Sequence, residues 1–423
     1  MKIIAVRVTP IAISDPPLLN ASGVHEPYAL RSIIEVEADN GLIGLGETYG
    51  DKPVLDALLH VKDRLKGLSP FDLNGLWQRV VSASLGTTAS VASIELDLAP
   101  GSREDKKELK IFAGFEVAFL DLQARALGIP VHELLGGAVR RSVPFSAYLF
   151  FKFASDVDPS YQPDPWGEAL DSAQIVEQAR TMIDRYGFGS IKLKAGALDP
   201  EHEVACLKAL KRAFPDHPLR IDPNANWSLQ TSIRMAEHLQ GDLEYYEDPT
   251  PDLEGMAALH RATGLPLATN MVVTDLAEFR RNIALGAVQI ILSDHHYWGG
   301  LRATQALAAM CDTFGLGLSM HSNSHLGISL MAMTHIAAAV PNLTYACDTH
   351  YPWQADEVLK GGRIPIENGC VTLSDAPGLG VELDYDALGA LHERYLRCGI
   401  SQRNDVAQMR KLKPGWQHVK VRY

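Results

Sequence analysis

Apolar and polar positions along the 423-residue chain fall into two regimes. In the first, residues 32–37 and 42–47 are β-rich runs on either side of Asp39-Asn40-Gly41. An Asn-Gly step suits a tight turn because both residues tolerate positive φ, so the pattern predicts a hairpin. Helical periodicity follows over residues 54–65 and again over 111–127. In the second of these, Phe115, Phe119, Leu120 and Leu122 fall near one face before Gly128-Ile129-Pro130 stops the helix. Residues 1–140 are therefore expected to form a small α+β unit.

From residue 141 the pattern becomes a short apolar strand, a polar end, a helix of ten to fifteen residues, and then another strand. That alternation predicts a parallel sheet. The predicted strands end near Leu149, Lys194, Asp222, Glu247, Asn270, Asp294, His321 and Asp348. Eight in succession point to a (β/α) barrel over residues 141–361, close to the usual barrel size of about 250 residues. Residues 362–423 revert to turns, short strands, a helix near 385–398 and a polar tail, a segment expected to return to the first unit.

Composition narrows the function classes. Apolar residues make up 46% and charged residues 21%, and no apolar run reaches the roughly 18 to 20 residues of a membrane span. No membrane role is expected. The net charge of −12 argues against a nucleic-acid partner, which would need clustered Lys and Arg. Five widely spaced cysteines without CxxC pairing suggest neither a disulfide framework nor a zinc site, and the N-terminus carries no cleavable apolar segment. A cytoplasmic protein is expected.

Position is the informative feature. Lys194, Asp222, Glu247, Asn270, Asp294 and His321 each end an apolar strand, at successive spacings of 28, 25, 23, 24 and 27 residues. In a barrel the strand C-termini converge on one face, where active sites of this architecture lie. Asp222, Glu247 and Asn270 offer three oxygen donors on adjacent strands, a set that suits Mg²⁺. Lys192 and Lys194, two apart on one strand, share a face. Like charge and partial desolvation are expected to depress a lysine pKa there, making one of them a base. Asp294 and His321 end consecutive strands, and a carboxylate on an imidazole fixes its tautomer and raises its basicity. A lysine, a histidine–aspartate pair and a metal between them suit abstraction of a proton next to a carboxylate, with the metal stabilising the enediolate. Racemisation, β-elimination of water and cycloisomerisation all remain open on these residues.

The whole chain resembles the enolase superfamily, with KxK on the second strand and metal ligands on the third, fourth and fifth. Within it the sequence is similar to the glucarate dehydratase group. Asn270 in Ala268-Thr269-Asn270-Met271, the segment Met320-His321-Ser322-Asn323-Ser324-His325, and Asp348-Thr349-His350 carry that likeness. The resemblance implies a modified TIM (β/α)7β barrel with an α+β capping domain built from both chain ends. It also implies a Mg²⁺-dependent acid-sugar dehydratase, with an acid-sugar epimerase or a non-catalytic barrel relative as alternatives, and a homo-oligomer. Lys194 and His321 become bases on opposite faces, Lys192 a carboxylate contact and Asp294 the partner of His321. His25, Tyr148, Asn224, Ser322, Asn323, His350 and Arg403 become substrate-binding residues. Two departures stand out: Glu108-Leu109-Lys110-Ile111, expected just before the long capping helix, lacks the group's threonine, and Tyr297-Trp298-Gly299-Gly300 looks more like the wider superfamily. They imply a distal pocket suited to another acid sugar, such as a pentonate.

Overall fold

The computed structural model describes residues 1–84 and 106–423. Strands Ile3–Ser14, Tyr28–Ala38 and Ile43–Tyr49 form an antiparallel sheet in chain order. The expected hairpin joins the last two, and Gly41 takes φ 81° at its turn. Helix Lys107–Leu127 lies against this sheet and ends on left-handed Gly128. The sheet face admits it because residues 44 and 46 are glycines: a Cβ at Gly44 would lie 2.1 Å from the Ala118 carbonyl oxygen, and one at Gly46 2.3 Å from that of Gly114. Lys110 sits inside this helix rather than before it.

Seven parallel strands follow, each hydrogen-bonded to the next: Ala147–Phe150, Ile191–Lys194, Leu219–Asp222, Leu243–Glu247, Leu267–Thr269, Ile290–Ser293 and Gly317–Met320. Helices alternate with them, and their starts are capped by Asp171, Asp199, Ser228, Asp252 and Asp275, whose side chains accept backbone N–H groups. The eighth expected strand is not a regular one. Thr344 and Asp348 donate to the Leu318 and Met320 carbonyls on one side, and Cys347 exchanges bonds with Pro144 and Ser146 on the other. With so few bonds to each neighbour this segment completes the ring as an extended bridge.

Past the barrel, Cys370–Thr372 pairs with Ser142–Pro144. Helix Tyr385–Cys398 then packs on the first strand of the α+β unit, where His392 Nδ1 lies 2.7 Å from the Pro10 carbonyl oxygen. The tail makes hydrogen bonds to that unit: Asn404 N–H donates to Glu26 and Arg403 N–H to Asp51. Glu47 ties the cap to the barrel. Its buried carboxylate holds Arg31 at 2.9 Å and accepts the N–H groups of Leu326 and Ser329, at the start of helix Gly327–Ala339.

Candidate active site

The strand ends named from the sequence converge on the C-terminal mouth of the barrel, under the cap. Lys192 and Lys194 both point inward from Ile191–Lys194. Lys194 Nζ donates to Asp222 Oδ2 at 2.7 Å and to Asn224 Oδ1. Lys192 Nζ is wholly buried, donating to Glu247 Oε1 and Asp348 Oδ2 at 2.6 Å each and lying 3.4 Å from Asp222 Oδ2. The depressed pKa expected of such a pair fails at Lys192. Burial is the largest single influence and would lower it, but Asp348, Glu247, Tyr148 and Asp222 together hold the ammonium well above its ordinary value. Lys192 also lies beneath the open cavity rather than on its wall.

The oxygen donors expected to hold a metal occupy adjacent strands. Asp222 lies below the usual carboxylate range because Lys194 and Lys192 outweigh its burial. Glu247 lies well above it, through burial first and then the charge of Asp222. Its Oε2 is buried with no hydrogen-bond partner among the described residues. An orphaned carboxylate oxygen close to the charge of Asp222, with Asn270 from the next strand lining the cavity, fits a divalent cation with hard oxygen ligands. Asp248 fixes the Asn270 backbone, accepting its N–H at 2.9 Å, and takes the Thr269 hydroxyl at 2.5 Å. Asn224, Ala225 and Asp248 have φ of 54°, 57° and 37°, a left-handed backbone concentrated where these strands end.

On the opposite side His321 Nδ1 faces Asp294 Oδ2 at 3.3 Å. Burial lowers the His321 pKa, with Asp294 pulling the other way. Asn323 Nδ2 donates to the hydroxyls of Tyr49 and Tyr297 at 2.8 and 2.6 Å. Ser322 lines a small cavity behind His321, and its Oγ donates to the Asp348 carbonyl at 3.3 Å. Asp294, His295 and His296 also bring ligand atoms within 4.8 Å of one another. The Arg31 guanidinium, 3.5 Å from His296 Nε2, puts a cation there already.

The cap and tail complete the wall. His25 Nδ1 faces Asp15 Oδ2 at 3.1 Å, and the same oxygen accepts Ser324 Oγ at 3.2 Å and Arg403 Nη1 at 3.4 Å. Arg403 reaches the cavity but is also forked onto Asp405, at 2.7 and 2.9 Å. His350 stacks parallel to His25 and edge-on to Tyr148, and burial with His25 nearby holds its pKa well below the ordinary value. Tyr148 also approaches Asp222, at 3.4 Å. Sequence reasoning missed Asp15, Arg31, Tyr49, Tyr297 and Asp405 as wall or support residues. Tyr49 and Asp15 do stand just at or past the ends of cap strands, a position as informative as the barrel strand ends.

A parallel ring with its cavity at the strand C-termini, covered by an α+β cap, defines the class of capped-barrel enzymes. Residues 3–136 match the family described as mandelate racemase/muconate lactonizing enzyme, N-terminal domain, and residues 174–387 match the enolase C-terminal domain-like family. The chain belongs to the enolase superfamily and is glucarate dehydratase-like within it. A Streptomyces coelicolor protein described as a probable glucarate dehydratase is 50% identical over 420 residues, covering 98% of this chain and 97% of its own. The crystal structure of a Pseudomonas fluorescens enolase with bound magnesium, potassium and tartrate superposes with a TM-score of 0.97. It is 66% identical and covers 100% of this chain and 99% of its own. A D-xylonate dehydratase of Haloferax volcanii is 26% identical over 379 residues, covering 85% of this chain and 84% of its own. Among the described residues no helix is long and apolar enough to cross a membrane.

Proposed function

We propose that this protein is a Mg²⁺-dependent acid-sugar dehydratase that removes the proton next to a carboxylate, expels the β-hydroxyl and yields a 2-keto-3-deoxy acid. The single observation that carries this reading is the opposition of Lys194 on Asp222 to His321 on Asp294 across a cavity bordered by Asn270. Asp222, Glu247 and Asn270 would hold the ion. When bound there, it supplies electrostatic stabilisation for the negative charge that develops on the substrate carboxylate.

The protein's own groups do the rest. His321 is neutral at neutral pH because burial lowers its pKa, so its Nε2 can take a proton from one face of the substrate or return one to the departing hydroxide. Asp294 holds the imidazole with Nδ1–H toward itself. Lys194 serves the other face. Asn224, Asn323, His25, His350, Tyr148 and Arg403 orient hydroxyls and the far end of the chain, and Ser322 supports His350 through its backbone N–H. The same reading makes residues 141–361 the catalytic barrel, with residues 1–140 and 362–423 forming its cap. It also makes the protein a cytoplasmic homo-oligomer without nucleic-acid or membrane partners.

Two relatives support dehydration by name, the probable glucarate dehydratase at 50% identity and the D-xylonate dehydratase, and they point to an aldarate or an aldonate as substrate. The test is a panel of both classes incubated with the Mg²⁺-loaded protein and scored for 2-keto acid. Formation from at least one member, abolished by EDTA, is expected. No keto acid from any member, or turnover that survives EDTA, sinks the proposal.

A further inference from the structure

Asp294 serves two imidazoles. Its Oδ2 faces His321 Nδ1 at 3.3 Å, while its Oδ1 receives both the backbone N–H and Nδ1 of His296, each at 2.9 Å. All three side chains are buried. A carboxylate oxygen can only accept, so the proton on His296 must sit on Nδ1 to face Asp294. On the other side of the ring Nε2 lies 3.2 Å from the Glu47 carbonyl oxygen, which can only accept, with Ser329 Oγ at 3.4 Å and Arg31 Nη2 at 3.5 Å. Arg31 is in turn fixed by Glu47, whose carboxylate also holds the start of the helix that follows the His321 loop.

We infer that His296 is a positioning residue for His321: it fixes the Asp294 carboxylate from behind and links that orientation to the cap through Arg31 and Glu47. The shorter contact is on the His296 side, so the carboxylate plane is set there and His321 takes what remains. The carboxyl of Asp294 is held well below its usual range; burial opposes this, and His296 contributes more to it than His321 does. The other titratable groups around these imidazoles are Arg31 and Tyr49 from the cap, His295 and Tyr297 beside His296, His325 from the loop beyond His321, and Lys192, Asp348 and His350 on the barrel side of His321.

The inference rests on the proposed acid/base role of His321, so its test needs one readout independent of turnover. In full-length Mg²⁺-loaded protein labelled at the histidine imidazoles, the His321 signal, assigned by its loss in His321→Asn, is titrated by NMR in wild type, His296→Leu and His296→Asn. An asparagine amide can stand where Nδ1 stood and still donate to Asp294. His296→Leu removes one of the two imidazoles from Asp294 and keeps only the backbone N–H of residue 296 on Oδ1, so the His321 midpoint is expected to rise by about half a unit or more, and His296→Asn to restore it. With a turned-over substrate, His296→Leu is expected to lower kcat roughly 10-fold with KM within about threefold, and His296→Asn to recover most of the loss. An unmoved His321 midpoint in a folded His296→Leu protein overturns the inference. So does equal impairment of both variants. A wild type that neither forms keto acid nor exchanges the α-proton defeats the dehydratase reading instead, and the titration still decides the role of His296.

Discussion

Replacing Asp294 by Asn removes one charge and leaves the shape. The variant keeps an oxygen that can accept the His296 N–H, which Asp294 Oδ1 takes at 2.9 Å, so the loop after strand Ile290–Ser293 should hold. What disappears is attraction for the imidazolium that forms when His321 accepts a proton. At 3.3 Å and an effective dielectric of about 20, one unit charge is worth about 5 kcal/mol to that cation. Asp294 shares its charge with His296, so about 3 to 4 kcal/mol is the expected loss, or roughly 10²- to 10³-fold in kcat. The pH profile moves in a determined direction. Asp294 raises the His321 pKa against the burial that lowers it, so removing the charge lets it fall further. The residual activity then persists to lower pH and the acid limb of kcat/KM shifts downward, while the amide NH2 now facing His321 Nδ1 favours the tautomer with its proton on Nε2 and adds to the loss. The assay is keto-acid formation from pH 4.5 to 9, at saturating substrate for kcat and well below KM for kcat/KM, paired with α-proton exchange in D₂O. For a substrate whose α-proton faces Lys194, exchange survives in the variant while dehydration is lost. A variant within threefold of wild type with an unmoved acid limb would refute the pairing as the source of His321 reactivity.

Three further outcomes follow from packing and charge. The buried pair His335 and His132 places their Nδ1 atoms 3.1 Å apart, and burial lowers the His335 pKa to about 4. Below pH 6.5 the unfolded chain binds a proton that the fold refuses, so stability falls as pH drops from 6.5 to 4, by about 2 kcal/mol at pH 5; chemical denaturation should show that slope in wild type and lose it in His335→Leu. Glu47→Leu leaves Arg31 buried without its carboxylate, at about 3–5 kcal/mol, and calorimetry should show Tm lower by about 3–6 °C. Gly44→Ala drives a methyl into the backbone of helix Lys107–Leu127, and a urea midpoint lowered by about 1–3 kcal/mol of stability is expected; an unchanged midpoint would mean that the helix can step away from the sheet.

The barrel was legible because its strands are short, apolar and evenly spaced, with the informative residue at each polar end. Lys194, Asp222, Glu247, Asn270, Asp294 and His321 were readable for that reason. The charge state of Lys192 was not, because the KxK pair shows its like charge in the sequence, whereas Glu247 and Asp348 reach it only through the closed ring. The eighth strand was overread: Tyr345-Ala346-Cys347-Asp348 has strand composition, yet it bonds each neighbour at only one or two points. The cap contribution was the least legible. Which of Asp15, Arg31 and Tyr49 faces the barrel depends on how the cap docks, and no period in the sequence encodes that. Lys110 illustrates the limit. Its position in the helix puts its ammonium over the rings of Tyr49 and Tyr297, 5.0 and 5.4 Å from their centres, a placement set by tertiary packing alone.

Dehydration by this protein is read most directly in a proton NMR time course in D₂O, with Mg²⁺-loaded protein and each acid sugar of the panel. Dehydration requires that the carbon losing its hydroxyl be reprotonated from solvent when the enol becomes a ketone. A 2-keto-3-deoxy acid carrying one deuterium at C3 is expected, with no product in the presence of EDTA. Deuterium appearing at the α-carbon of unchanged or epimerised acid, with no keto product from any substrate, would contradict it.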